Sequence, residues 1–196
     1  MYYVPNMCQC HNPYCNNRPM FHYGGQSGYW ASPVMTQNPN FRSSDGEAGI
    51  LLKDYGDDPF VVNINEATKQ NNTYRTALWT GDNLQLTLMS LNVGEDIGLE
   101  MHPDVEQFIR VEQGQGIVRM GPSRDNLNFE RNVYDDSAIL VPAGTWHNVI
   151  NTGAIPLKVY TIYAPPNHPY GTVHKTKADA MAAEEEHGHR TSYYYR

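Results

Sequence analysis

Basic charge is scarce in this chain: 14 Lys and Arg stand against 21 Asp and Glu, for a formal net charge of -7. A general affinity for nucleic acid or for an anionic membrane needs a clustered positive face, so neither partner is expected. Long apolar runs are also lacking. No window reaches the roughly 18 consecutive apolar residues of a membrane span. The opening MYYVPNMCQCHN has neither the basic nor the apolar region of a secretory signal, so a cytoplasmic start is expected. Cysteine is confined to Cys8, Cys10 and Cys15. This odd number gives no closed disulfide framework, and Cys8, Cys10, His11 and Cys15 match no standard zinc spacing, so exposed thiols are favoured over an ordered metal site. An evident phosphate-binding cluster is missing too. A small molecule or another protein is the expected partner.

What is present divides the chain into three. Residues 1–45 are rich in Asn, Gly, Pro, Tyr and Gln with little apolar periodicity, a composition that cannot bury enough surface to offset the entropy of ordering, and they read as a disordered tail. Its five tyrosines, three cysteines and two histidines are unusual for an inert linker and point to adhesion or cross-linking. Residues 46–170 carry short strand-like runs separated by turn signals: FVVNIN at 60–65, TYRTALWT at 73–80, LQLTLMSL at 84–91, QFIRVEQG, GIVRMG, AILVP at 138–142, WHNVIN at 146–151 and LKVYTIYA at 157–164. A short turn or helix, EATKQNN, interrupts them. Many short strands at regular spacing indicate an all-β antiparallel sandwich or barrel with one core. Residues 171–196 hold the strong helix formers KTKADAMAAEEEHG, with Gly188 as the expected stop, and a loose Tyr-rich end.

Chemistry concentrates in GEDIGLEMHPDVEQFIRVEQG and PAGTWHNVIN. Glu100 and His102 are two apart, so on a strand both leave by one face. His147 follows the rigid Pro142-Ala143-Gly144 turn. Gln107 shares parity with Ile109 and Val111, whereas Glu106 shares it with Phe108, Arg110 and Glu112, so Gln107 is the better inward candidate and Glu106 the alternative if a bulge shifts the register. His168 and His174, in the proline-rich segment YAPPNHPYGTVHKTK, are candidates for a general acid or base at a barrel mouth. Either Tyr160 and Ile162 or Val159, Thr161 and Tyr163 line the interior. Arg75, Arg110 and Arg119 could grip an anion only if they faced inward, and parity puts Arg110 outside. Asn151 reads as a residue that hydrogen-bonds a turn, and Trp79 and Trp146 as packing.

These residues resemble the two motifs of the cupin superfamily, G-x5-H-x-H-x4-E-x6-G and G-x5-P-x-G-x2-H-x3-N. Gly94, His102 and Gly114 match the first motif, and Pro142, Gly144, His147 and Asn151 the second; Glu100 and Gln107 depart from the first, at its first histidine and its glutamate, and Asp136 from the second, at its opening glycine. The resemblance covers roughly residues 58–170 and is similar in kind to small single-domain bacterial cupins described as mannose-6-phosphate isomerase-like. It implies a jelly-roll β-barrel, often paired into a homodimer through exposed strand edges. It also implies a divalent metal ion (Fe, Mn, Zn, Ni or Co) held by Glu100, His102, Gln107 and His147. Fold does not fix activity. Two functions are expected: metal-dependent isomerase-like or dioxygenase-like chemistry on a small polar molecule, or a structural role in a bacterial spore coat or surface layer, with the tail cross-linking.

Overall fold

The computed structural model describes residues 49–192, with side chains through residue 185; the Tyr- and Cys-rich segment 1–45, including Cys8, Cys10 and Cys15, lies outside the described residues. Two antiparallel sheets make the barrel. The larger contains β1 (Arg75–Thr80), β2 (Gln85–Leu91), β3 (Glu106–Gln113), β6 (Ala138–Val141), β8 (Leu157–Ala164) and β9 (Val173–His174), in the order β6-β3-β8-β2-β1-β9. The smaller contains β4 (Gln115–Gly121), β5 (Phe129–Tyr134) and β7 (Trp146–Asn151), in the order β5-β4-β7. The segment 96–100 runs beside the free edge of β7 through the bridges Asp96↔Ile150 and Glu100↔His147. This all-β arrangement is a jelly roll.

The crossing from β3 into β4 depends on Gly114. Its φ of +94° lies where side chains are disfavoured, and a Cβ there would come within 3.0 Å of the Pro156 carbonyl oxygen. The tight turn lets β3 and β4 enter different sheets while both stay against the same core.

Two apolar clusters flank the larger sheet. Inside the barrel, Met89, Leu91, Ile109, Val111, Val118, Val133, Val149, Leu157 and Val159 pack together, and each fully buried aliphatic side chain contributes about 1.5–3 kcal/mol of transfer free energy. On the outer face, Leu78 and Leu88 pack with Ile50, Leu52, Phe60 and Val62 of the preceding arm. The apolar alternation of β2 belongs to this outer cluster. Leu86 and Leu88 face out onto the arm, while Gln85, Thr87, Met89 and Leu91 line the interior through their pairing with Tyr163, Thr161, Val159 and Leu157. The inward set on β8 is therefore Val159, Thr161 and Tyr163; Tyr160 lies outside against Phe108, with ring centroids 6.0 Å apart.

Three local expectations are corrected. The segment 60–65 is not a strand: the Asn63 side chain accepts from the Glu66 backbone N–H at 3.3 Å and caps α1 (Ile64–Gln70), so a local cap overrides a β-branched run too short to pair. Strand β5 escapes sequence reading because only Val133 of its six residues is buried, leaving no alternation to detect. The C-terminal helix α2 (Lys177–Ser192) runs through Gly188, since a single glycine costs a helix only about 1 kcal/mol. Ala180 of α2 is buried with the barrel's apolar cluster, and Lys177 pairs with Asp96. Among the described residues no helix is long and apolar enough to cross a membrane.

Candidate metal centre

Two backbone hydrogen bonds hold the centre of the site. Glu100 N–H donates to the His147 carbonyl at 3.1 Å, and His147 N–H donates to the Glu100 carbonyl at 2.9 Å. Directly opposed residues of an antiparallel pair send side chains to the same face, so a carboxylate and an imidazole 47 positions apart are locked side by side. His102 joins them from two residues beyond Glu100, and its carbonyl accepts from the Gly144 N–H at 2.8 Å, tying the ligand segment to the turn that carries His147. Gly144 has φ +74°, and Thr145 N–H closes the turn onto the Pro142 carbonyl at 3.2 Å.

The side chains converge. Glu100 Oε1 lies 3.4 Å from both His102 Nε2 and His147 Nε2, and one ligand atom from each of the three residues falls within 4.8 Å of the others. The His147 Nδ1–H donates to the Thr145 carbonyl at 3.0 Å, which assigns the tautomer and leaves Nε2 with its lone pair facing the cluster. Gln107 is 4 % exposed and donates from Nε2 to Thr161 Oγ1 at 3.1 Å, so its amide presents Oε1 as an acceptor. Glu100 Oε1, His102 Nε2, His147 Nε2 and Gln107 Oε1 are all buried without a hydrogen-bond partner. Buried polar atoms are normally satisfied, and four unsatisfied donor atoms of metal-ligand type in one barrel fit a divalent cation.

Electrostatics agree with that fit. Burial alone would raise the Glu100 carboxyl, but the adjoining His102 and His147 imidazoles, with the Arg75 guanidinium, pull it down to about 2. It is a carboxylate at any physiological pH, as ligation requires. Aromatic rings extend from the cluster: His102 lies 5.6 Å from His147 and 5.9 Å from Tyr163, and Tyr163 lies edge-on to His168 at 5.0 Å. Burial raises the Tyr163 hydroxyl, so it stays protonated.

The remaining sequence candidates are placed as follows. Glu106 is exposed and outside the cluster. His168 is drawn inward because Gln85 fastens its loop: Gln85 Nε2 donates to the His168 carbonyl at 2.9 Å, while Gln85 Oε1 accepts from His168 N–H at 3.0 Å. Its Nε2 is buried without a partner, and burial, followed by the Arg75 charge, lowers it to about 3. His174 sits on β9, paired in register with Arg75. Arg110 is outside, joined to Asp136 and Glu112, and Arg119 is exposed against Glu130. Asn151 donates to the Leu91, Asn92 and Ile155 carbonyls and accepts from Gly153 N–H at 2.9 Å, a strand-end clamp with no ligand role. Arg75, Thr87 and Tyr163 also face the interior; the register of β1 and β2 with β8 is the signal that identifies them.

The fold and site together define a small β-barrel protein with a His–His–carboxylate cluster inside it. The chain belongs to the cupin superfamily. Residues 87–163 match the family model described as "Cupin domain". The chain is 65% identical over 189 residues to the uncharacterized protein YrkC of Bacillus subtilis, covering 94% of this chain and 100% of the relative. An uncharacterized protein of Acanthamoeba polyphaga mimivirus is 38% identical over 138 residues, covering 70% of this chain and 84% of that one. The solved structure of the Bacillus halodurans protein BH2720 is 66% identical with a TM-score of 0.66, covering 66% of this chain and 98% of that one.

Proposed function

We propose that the protein is a mononuclear metal-dependent enzyme of dioxygenase-like type acting on a small polar molecule inside the barrel. Glu100, His102 and His147 would hold a divalent ion, with the Gln107 carbonyl oxygen as a further donor. The observation that carries the reading is the convergence of buried, unsatisfied ligand atoms from Glu100, His102 and His147, with Gln107 Oε1 a further buried acceptor left without a partner among the described residues. Two imidazoles and one carboxylate form the donor set suited to Fe(II), with open positions on the ion. Such an ion supplies Lewis acidity and, when it is iron, access to dioxygen chemistry.

The chain's own residues support this version over the isomerase-like one. Moving a proton between neighbouring carbons calls for a base tuned near the working pH. His168, at about 3, is a weak base, and the Tyr163 hydroxyl is held protonated by burial. Their rings serve better as a wall that excludes water from the cluster and orients what binds there. The spore-coat alternative draws on the tail, which lies outside the described residues, and no feature of the barrel favours it.

Elemental analysis of protein purified without chelator is the test. About one divalent ion per chain, lost together with Fe(II)-dependent oxygen uptake in the His147→Ala variant, is the expected result. A wild-type chain that takes up no Fe(II), Mn(II), Co(II), Ni(II) or Zn(II) would sink the proposal.

A further inference from the structure

Arg75 is 1 % exposed, and a buried guanidinium is costly unless its donors are matched. It stands on the inward face of β1, paired with Met89 on one side and His174 on the other. Its one charged partner within ion-pair distance among the described residues is Glu184 of α2, which meets Nη1 at 3.3 Å with its own carboxylate 59 % exposed. Nε is buried and donates to nothing among the described residues. The arginine therefore spends Nη1 on a helix at the surface and keeps Nε, on the edge of the guanidinium shared with Nη2, buried without a partner among the described residues. That edge is the side-on face that receives a carboxylate through two parallel hydrogen bonds.

The charge also bears on the metal cluster. Arg75 contributes to lowering Glu100 and His168, and the Glu100 carboxylate helps hold the arginine protonated against its burial. With a divalent ion on the cluster, the ion and Arg75 together outweigh the one carboxylate, Glu100, and the imidazoles add none. The interior then carries excess positive charge, and the carboxylate that meets Arg75, Glu184, lies largely exposed at its edge. A buried excess of this kind is relieved by an anion.

We propose that the Nε–Nη2 edge of Arg75 binds a carboxylate group of the substrate, whose other end reaches the Glu100–His102–His147 cluster; this rests on the metal reading above. The substrate class is thereby a small organic acid. A phosphate ester fits less well, because a dianion with three terminal oxygens is ordinarily gripped by several cations or a run of backbone N–H groups, and here one guanidinium is offered.

Calorimetric titration of the Co(II)-loaded, full 196-residue chain with dicarboxylates from oxalate to glutarate, each against its neutral diamide, tests this directly. At least one dicarboxylate is expected to bind tenfold or more tightly than its diamide. Arg75→Gln should remove that preference while imidazole binding to the ion is unchanged. Because Arg75→Gln alters a buried position, Glu184→Gln provides a second reading from an exposed one: releasing Nη1 should tighten dicarboxylate binding about threefold, roughly what one solvent-exposed ion pair contributes. Equal dicarboxylate affinities in wild type, Arg75→Gln and Glu184→Gln overturn the inference and leave the metal reading intact. Failure to take up Co(II), with Arg75-dependent dicarboxylate binding still present in the metal-free chain, overturns the metal reading and leaves the acid-binding role. Tighter Arg75-dependent binding of inorganic phosphate than of any dicarboxylate overturns the substrate class.

Discussion

The two halves of the barrel interior are built from the same strands and could hardly differ more in chemistry. Along β3 the inward residues run Gln107, Ile109, Val111; along β8, Tyr163, Thr161, Val159, Leu157; along β2, Gln85, Thr87, Met89, Leu91; along β7, His147, then Val149. Each strand is polar at one end and aliphatic at the other; on β2 and β8 the switch falls at one level, between the Thr87–Thr161 and Met89–Val159 pairs, and on β3 it falls one pair nearer the polar end, where Ile109 stands opposite Thr161. The aliphatic half is a closed apolar core. The polar half holds unsatisfied atoms of Glu100, His102, His147, Gln107, Thr87 and His168. Stability and chemistry are thus separated along the strand direction, and a strand needs only to change residue type midway to serve both.

The largest effect should come from the aliphatic half. Leu157 is fully buried against Leu91 and the β3–β4 turn, so Leu157→Ala should cost about 2–5 kcal/mol in urea denaturation. The surviving folded protein should bind metal with unchanged stoichiometry. A lowered stoichiometry in that folded fraction would show that the two halves are not separable.

His147→Ala breaks the other half. On the proposed metal reading, affinity should fall at least about a hundredfold, since the variant removes a direct ligand whose orientation the Thr145 carbonyl fixes. Without metal, the unfolding midpoint should move less than in Leu157→Ala, because the deleted ring leaves polar neighbours that water can solvate. Metal-free denaturation curves for the two variants, compared side by side, give the answer.

Acid should act on the polar half before the aliphatic one. His168 titrates at about 3 in the folded chain, against about 6.5 when exposed, so below 6.5 the unfolded chain takes up a proton that the folded chain refuses. Its contribution is complete above about 6.5 and is lost progressively as pH falls toward 3, at up to about 1.4 kcal/mol per pH unit. Glu100, lowered to about 2, adds to the loss below about 4.5 for the parallel reason: its carboxylate form is the one the folded site favours. Urea midpoints from pH 7 to 4 should show this slope in wild type and in Leu157→Ala, and a flatter limb above pH 4.5 in His168→Gln. An unchanged limb in His168→Gln would place the acid sensitivity elsewhere.

The same partition explains what could be read before the structure. Spacing within the two motifs places His102 and His147 and, by parity, turns Gln107 inward, because each depends on a few residues of chain. The inward side of β2 is misleading to a reader of sequence. Its apolar alternation, Leu86 and Leu88, answers to the outer cluster, and the residues facing the site, Gln85 and Thr87, look like solvent-facing positions. The same holds for Arg75: only cross-strand register shows that it points inward, and register between β1, β2 and β8 is a long-range property. The run 60–65 shows the opposite error, a β-like composition overruled by one asparagine cap, while the helix that follows it, EATKQ of α1, is legible in the sequence.

Asp136 sits where the second motif has its opening glycine, beside the aliphatic half and outside the Glu100–His102–His147 cluster, and so provides a control for the polar half. The residue keeps a φ of +67°, the conformation that favours glycine, and its backbone N–H donates to the Val111 carbonyl at 2.9 Å. Asp tolerates this region better than most residues, and its side chain adds an exposed pair with Arg110 that water screens. In Asp136→Gly, relief at φ opposes the greater entropy of the unfolded glycine chain, so stability should shift by no more than about 0.5 kcal/mol. Asp136→Val retains the φ and adds a branched Cβ, which should cost about 1–2 kcal/mol. Metal affinity should stay at the wild-type value in both. If Asp136→Gly weakened the ion appreciably, the turn before β6 would belong to the polar half, and the division along the strands would have to be redrawn to include the β5–β6 connection.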